Sequence, residues 1–283
     1  MFIVDFHQVM IANIMGHLNK KTMDKHRIDE NLVRHMILNS VRTINSRFRK
    51  DYGKMVVAYD SKKSWRKEIF PYYKANRKRD RDKSIVDWVL LFDFFGRIKE
   101  ELKEVLPYKV IEVEGCEADD VIATLTKFAR NNEKVLIVSG NKDFIQLHGD
   151  NVKQYDPVRK KDVTTDLPPY DYLFEHILKG DSSDGIPNVC SDDDTFVNAQ
   201  KRQTPLTKKK MNMLMNTLID IPESINRNVS RNEKLIDLTF IPEDLTIKVM
   251  ETYAHFPVRD KKSLYKYLTD NRCASLVLNM GDF

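Results

Sequence analysis

The sequence predicts an α/β fold: a mostly parallel central sheet with helices on both faces, followed by a smaller helical region. Two observations carry this. Short runs of consecutive apolar residues alternate with longer runs of helical periodicity up to about residue 175, the pattern of a sheet buried on both sides. Beyond that point the strand-like runs stop and only helical ones remain.

Each element has its own signal. Phe2-Ile-Val opens the chain as a buried strand. Leu32, Met36, Ile37, Val41 and Ile44 recur at helical spacing, and Met55-Val-Val-Ala-Tyr reads as the second strand. Val89, Phe92, Phe95, Ile98, Leu102 and Val105 mark a further helix. The run Tyr108 to Val113 is a strand, and Val121, Ile122, Leu125 and Phe128 form the next helical face. Lys134-Val-Leu-Ile-Val is a strand, and Val152-Lys-Gln-Tyr is a weaker fifth. Later helical runs span Met211 to Ile219, Asn232 to Leu238, Leu245 to Tyr253 and Ser263 to Leu268, with Pro205, Pro222, Pro242 and Pro257 between them. The polar segment from Ser191 to Lys210 reads as a long, mobile loop. The expected organisation is an α/β domain over residues 1–180 and a helical region over 181–283.

Composition narrows the class. Apolar residues make up 41% and charged residues 31% of 283, an ordinary globular balance. Lys plus Arg is 47 against 42 Asp plus Glu, so the net charge is only +5 and its distribution matters more than its size. Cys116, Cys190 and Cys273 lie far apart without a C-x-x-C pair, which argues for a reducing compartment and against a zinc ribbon. No apolar run reaches membrane-spanning length, and the start "MFIVDFHQ" lacks a signal peptide's basic region. The expectation is a cytoplasmic monomer that does not enter a membrane.

Acids collect where strands end. Asp5 follows the first strand and Asp60 the second. "EGCEADD" places Glu117, Asp119 and Asp120 at a helix start, Asn141 and Asp143 follow the fourth strand in "VSGNKDF", and "LKGDSSDGIP" adds Asp181 and Asp184. Taken singly, each is the kind of residue that caps helices and forms turns. Together they converge on the carboxyl edge of the sheet, where ligands of such folds bind. Converging carboxylates repel unless cations separate them, and oxygen-only donors suit hard ions such as Mg²⁺ or Mn²⁺. No phosphate-binding G-x-x-x-x-G-K-[ST] loop, H-E-x-x-H or nucleophile elbow offers a competing chemistry. The seven histidines show no ligand spacing and read as surface or satisfied core residues.

Directly after Asp60, the stretch from Lys62 to Lys83 holds ten Lys or Arg against three acids, interleaved with Trp65, Phe70, Tyr72 and Tyr73. Cations beside an acidic metal site suit a polyanion, and aromatics can stack on unpaired bases. Arg66, Lys74 and Arg77 are the preferred phosphate contacts, with Lys78 and Arg79 beside them. Lys201, Arg202 and Lys208 to Lys210 (Lys208, Lys209, Lys210) form a second cluster suited to gripping duplex.

The order of these motifs resembles the 5′-nuclease (flap endonuclease) superfamily, and within it the T-even phage ribonuclease H type. The carriers are "IVDF", "YDSKKSWRKEIFPYYKANR", "EADD", "VSGNKDFIQLH", "VKQYDPVRKK", "ILKGDSSDGIP", "RQTP" and "LIDLTFIP", spread almost end to end. The resemblance implies a helical bridge over residues 62–85 arching across the active site, and a C-terminal region that holds duplex. It implies 5′-to-3′ exonuclease and flap endonuclease hydrolysis of DNA and of RNA in RNA/DNA hybrids, removing primers during phage DNA replication. It implies two Mg²⁺ sites, with Mn²⁺ as a substitute: Asp5, Asp60, Glu117, Asp119 and Asp120 at the first, Asp143, Asp181 and Asp184 at the second, with position 141 touching the first. Lys74 and Arg77 match basic positions near the scissile phosphate. A single-stranded-DNA-binding protein and a sliding clamp are the implied partners. The terminal "LNMGDF" is either such a contact or a packed tail, and the packed tail is the favoured reading.

Two departures stand out. The glycine-rich hairpin that follows "GD..D" in the superfamily has lost most of its glycines here, which argues against a K⁺ site. Position 141, an Asp in the family pattern, is Asn. The expectation is that this Asp→Asn exchange disarms the site, a deliberate replacement or a natural variant that binds substrate without cutting it. A non-cleaving branched-DNA-binding protein is therefore the alternative function. A phosphohydrolase of small substrates fits poorly with the basic aromatic stretch.

Overall fold

The computed structural model describes residues 1–18, 29–82, 87–216 and 222–283. Six strands form one sheet in the order β3-β2-β1-β4-β5-β6: β1 Phe2–Asp5, β2 Met55–Ala58, β3 Lys109–Ile111, β4 Val135–Val138, β5 Val152–Asp156 and β6 Lys161–Asp162. All pairs are parallel except β5 with β6. The sequence marks the first five; the two-residue β6 is too short to show periodicity.

Side chains alternate across the sheet as the two-residue period requires. Phe2, Val4, Val57, Val110, Leu136 and Val138 enter one core, while Ile3, Val56, Ile111, Val135 and Ile137 enter the other. The first core is covered by α1 Phe6–Leu18, α2 Glu30–Tyr52 and α5 Trp88–Val105. The second is covered by α6 Ala118–Ala129 and α10 Glu243–His255. The bridge segment contributes α3 Arg66–Ile69 and α4 Asn76–Asp82; residues 83–86, the end of the expected bridge, lie outside the described residues.

Three helical faces differ from the sequence reading at their edges. Leu32 (40% exposed), Val89 (74%) and Phe128 (53%) point to solvent, each at an end of its helix where the apolar stripe runs off the sheet. Helix α1 has no amphipathic signal: its sequence, FHQVMIANIMGHL, is apolar over most of its circumference and begins directly at the end of β1 without a turn.

The remaining helices are α7 Pro169–Lys179, α8 Lys208–Asn216, α9 Glu223–Ile236, α11 Lys261–Asp270 and α12 Ala274–Val277. Expected helix positions 217–219 lie outside the described residues. Helices α11 and α12 do not form a core of their own. Leu264, Leu268, Leu276 and Phe283 join the first core beside Phe2 and Val33. The Asp282 carboxylate pairs with Arg42, and its carbonyl accepts from the Asn45 amide at 2.8 Å. Within the terminal LNMGDF, Phe283 is buried in this core while Leu278 is 87% exposed, so the end is buried at its last residue only.

The segment from Ser191 to Lys210 closes back on itself. Ser191 Oγ donates to Asn188 Oδ1 at 2.8 Å and accepts from Thr204 N–H at 2.9 Å, while Gln203 Oε1 accepts from Asn188 N–H. Helices α7 and α9 pack together over Phe70, Tyr73, Ile177, Ile186 and Leu235, which anchors the bridge base against the C-terminal half.

Candidate metal and nucleic-acid site

The strand order reverses direction between β1 and β4, and open α/β sheets bind ligands outside the strand ends at such a switch point. Asp5 ends β1, and Ser139 follows β4 beside it, donating to Asp5 Oδ2 at 2.9 Å. A cleft of about 430 Å³ opens here. Asp5, Asp60, Asp119, Asn141, Asp143, Asp181 and Asp184 line it, together with Lys74 and Arg77. Nine of the expected site residues are thereby brought together.

The acids divide into two groups. The first group has few protein cations. Asp60 Oδ1 accepts the backbone N–H of Ala118 at 2.7 Å, at the start of α6, and Asp119 is the next residue of that first turn. Burial pushes the Asp119 carboxyl well above the usual range, and Asp143 and Asp5 add repulsion that Lys74 does not cancel. Burial and then Asp60 raise Asp5. Burial also pushes Asp143 up to about 6, against the pull of His176 and with repulsion from Asp184 and Asp181.

Asn141 sits inside this group. Its Oδ1 accepts Asp143 N–H at 3.2 Å, capping the short 3₁₀ turn Lys142–Leu147. Its amide nitrogen donates to Asp119 Oδ2 at 3.2 Å and Asp143 Oδ2 at 3.4 Å. A carboxylate in this place would face two others at those separations.

The second group is neutralised by the protein. Asp120 is fully buried and accepts from Arg66 Nη2 at 2.8 Å, from the Trp65 indole at 3.2 Å and from Glu117 N–H at 2.8 Å. Glu117 accepts from Lys74 Nζ at 2.6 Å, the Tyr73 hydroxyl at 2.7 Å and Arg66 at 3.2 Å. Burial alone would raise Asp184, but Lys74 and Arg77 pull its carboxyl below the usual range. Lys74 is held charged in turn: burial would lower it, and Asp184 and Glu117 outweigh that.

Two expected roles change. Arg66, expected at the phosphates, is 2% exposed, and its remaining Nε donates to the Leu235 carbonyl at 2.9 Å. It is a buried tie between α6, the bridge base and the end of α9. Asp120 and Glu117, expected as metal ligands, do not line the cleft; both face Arg66 or Lys74. Among the bridge aromatics Trp65, Phe70 and Tyr73 are buried, so only Tyr72, at 38% exposed, is available to a base.

The loop carrying Asp181 and Asp184 is docked on the bridge. Lys74 N–H donates to the Asp184 carbonyl at 2.7 Å, and Arg77 Nε to the Ser183 carbonyl at 3.1 Å. Gly185 is required for this approach: its φ is +72°, and a Cβ there would lie 2.9 Å from Asn76 Oδ1 and 3.1 Å from the Tyr72 carbonyl. Lys78 and Arg79 lie on the exposed side of α4. Lys201 is engaged by Asp192 and Asp194 at 2.9 and 2.7 Å, Arg202 is exposed beside it, and Lys208, Lys209 and Lys210 form the first turn of α8. These cations lie apart from the cleft lining.

His176, read from sequence as unremarkable, stands between Asp143 and Asp181. The available signal was its place in the last turn of a helix that ends in Gly-Asp, five residues before Asp181.

Comparison with known proteins agrees with this geometry. The profile of the 5′-3′ exonuclease N-terminal resolvase-like domain matches residues 1–170, and that of the T4 RNase H C-terminal domain matches residues 169–283. Ribonuclease H of Enterobacteria phage T4 is 30% identical over 294 aligned residues, covering 99% of this chain and 95% of that protein. A 5′-3′ exonuclease of Buchnera aphidicola is 34% identical over 54% of each chain. The fold matches the T5 5′-exonuclease with bound zinc (TM-score 0.62, 17% identity, 90% of this chain and 98% of that one). It also matches the bacteriophage T5 flap endonuclease in a pseudo-enzyme-product complex with DNA and metal ions (TM-score 0.61, 18% identity, 90% and 99%). With both profiles together spanning the chain from end to end, it belongs to the 5′-3′ exonuclease family, with a C-terminal half of the T4 ribonuclease H type.

Proposed function

We propose that this chain is a divalent-metal-dependent 5′ nuclease that hydrolyses phosphodiesters at the 5′ ends and flaps of DNA and RNA/DNA hybrids, as in primer removal during phage DNA replication. The observation that carries the reading is the unbalanced first group of acids. Asp5, Asp119 and Asp143 are held protonation-prone by burial and mutual repulsion, a state that bound cations relieve. The donor set is nearly all oxygen, which fits Mg²⁺, with Mn²⁺ as a substitute.

Asp5, Asp60, Asp119 and the Asn141 side-chain oxygen would hold one ion, and Asp143 and Asp181 the other. The chemistry such ions supply when bound is charge stabilisation at the attacking and leaving oxygens of a phosphodiester. The chain's own residues do the rest. Lys74 and Arg77 line the cleft while paired with Asp184 and Glu117, and would turn to a phosphate that enters it. Glu117 and Asp120 hold the bridge base in place through Lys74 and Arg66. Lys78 and Arg79 on α4, and Arg202 with Lys208 to Lys210 further away, would contact the flanking backbone.

A second reading, branched-DNA binding without cutting, is favoured by Asn141, which removes one charge from the first ion's surroundings. A single experiment separates the two: binding to a 5′-flap duplex in Ca²⁺ across a salt series, followed by addition of Mg²⁺. The nuclease reading expects salt-sensitive binding and then cutting. Absence of binding at low salt would reject both readings. If the amide weakens the site, Asn141→Asp cuts faster and half-saturates at lower Mg²⁺. An unchanged Mg²⁺ titration would show that the amide disarms nothing.

A further inference from the structure

His176 is absent from the cleft lining, yet its ring lies within reach of the oxygen donors at the second position. Among the described residues, donor atoms of Asp143, His176 and Asp181 all lie within 4.8 Å of one another. His176 Nδ1 is 3.4 Å from Asp143 Oδ1, and Nε2 is 3.8 Å from Asp181 Oδ2. Nδ1 is buried and has no hydrogen-bond partner, an uncommon condition for an interior ring nitrogen. The ring is fixed by its position in the last turn of α7 and by Tyr172, one turn earlier, which meets it edge-on at 6.2 Å. Asp184, the third acid expected at this position, is engaged by Lys74, Arg77 and the Tyr73 hydroxyl. His176 stands where that third donor is needed.

We propose that His176 is a nitrogen ligand to the second divalent cation, together with Asp143 and Asp181, and that it shifts this position toward Mn²⁺ and away from Mg²⁺. The inference rests on the metal-dependent reading above and deepens it. Imidazole nitrogen is accepted readily by Mn²⁺ and the later first-row metals, whereas Mg²⁺ holds to oxygen and water.

Pulsed electron paramagnetic resonance on Mn²⁺ bound to the full chain tests this directly. Nitrogen modulation is expected from the bound ion, and it changes to the ¹⁵N pattern when the histidines alone are ¹⁵N-labelled. In His176→Gln the modulation disappears, and the ratio of Mn²⁺ to Mg²⁺ affinity, read by competition, falls by about tenfold. His7 lies 3.7 Å from Asp60 in the same cleft, so His7→Gln is measured beside the wild type and is expected to keep the histidine modulation, which decides the matter even if His176→Gln folds poorly. Bound Mn²⁺ with no histidine coupling overturns the assignment of His176, and Mg²⁺-dependent cutting in the same preparation would leave the nuclease reading standing. Histidine coupling that survives in folded His7→Gln/His176→Gln also overturns it. Failure both to bind Mn²⁺ and to cut in Mg²⁺ rejects the two together.

Discussion

The two groups of acids at this sheet edge have the same chemistry and opposite circumstances. Asp120, Glu117 and Asp184 each meet Arg66, Lys74 or Arg77 within hydrogen-bond distance. Asp5, Asp119 and Asp143 meet mainly one another and an amide. The protein thus uses its own cations to fix the frame and leaves the cleft under-neutralised. Burial of a carboxylate does not by itself distinguish a structural residue from a functional one; the identity of its counter-charge does.

Removing one charge from each group should break the symmetry most sharply. Asp119→Asn is expected to lower Mg²⁺-dependent cutting by about 100-fold or more, since it removes a cation-facing charge. The same change should raise the melting temperature of the metal-free protein, because it relieves repulsion with Asp5 and Asp143. A variant that loses both stability and activity would place Asp119 with the frame instead.

On the neutralised side, Arg66→Met leaves Asp120 buried without its cation and removes one of the two beside Glu117. Breaking a buried pair in this way costs about 3–5 kcal/mol, measurable as a lower urea midpoint. An unchanged midpoint would mean that Trp65 and Tyr73 suffice to hold these acids.

The pH dependence separates the groups in the same protein. For Asp5, Asp119 and Asp143 the folded-state values are raised, so metal-free stability is greatest below the unfolded carboxylate range and falls as pH rises through the folded values, near 6 for Asp143. Asp184 is lowered, so its contribution is present above the unfolded range and lost only as pH falls through its depressed value. Thermal melts from pH 4 to 8 should therefore decline through the middle of that range without divalent metal, and flatten with it. A decline that metal leaves untouched would contradict the division.

The smallest effect belongs to the distant cations. Lys208→Ala should weaken duplex binding uniformly and reduce the salt slope by about one. Lys201→Ala should change it less, because Asp192 and Asp194 already hold that ammonium.

Much of this was legible in the sequence. The alternation of apolar runs with helical spacing predicts the sheet and its covering helices, and acids at strand ends predict where the cleft lies. The neutralisation pattern was not legible. Arg66 reads as one of ten cations in a basic stretch, and only the packing of α3 against α6 and α9 turns it inward. Helix α1 was hidden for a related reason: an element apolar nearly all round carries no period to detect. His176 was hidden because its carboxylate partners come from a 3₁₀ turn 33 residues earlier and from the far side of its own helix end.

Leu264, Leu268, Leu276 and Phe283 cover the face of the sheet whose other members include Phe2 and Phe48. A ribosome making this chain therefore exposes that apolar face for the whole interval between them. At usual translation rates the wait is on the order of ten to forty seconds, far longer than a hydrophobic collapse. The first strands spend it guarded by α1, α2 and α5 alone or by a chaperone, so a product truncated before α11 would keep this apolar face open to aggregation.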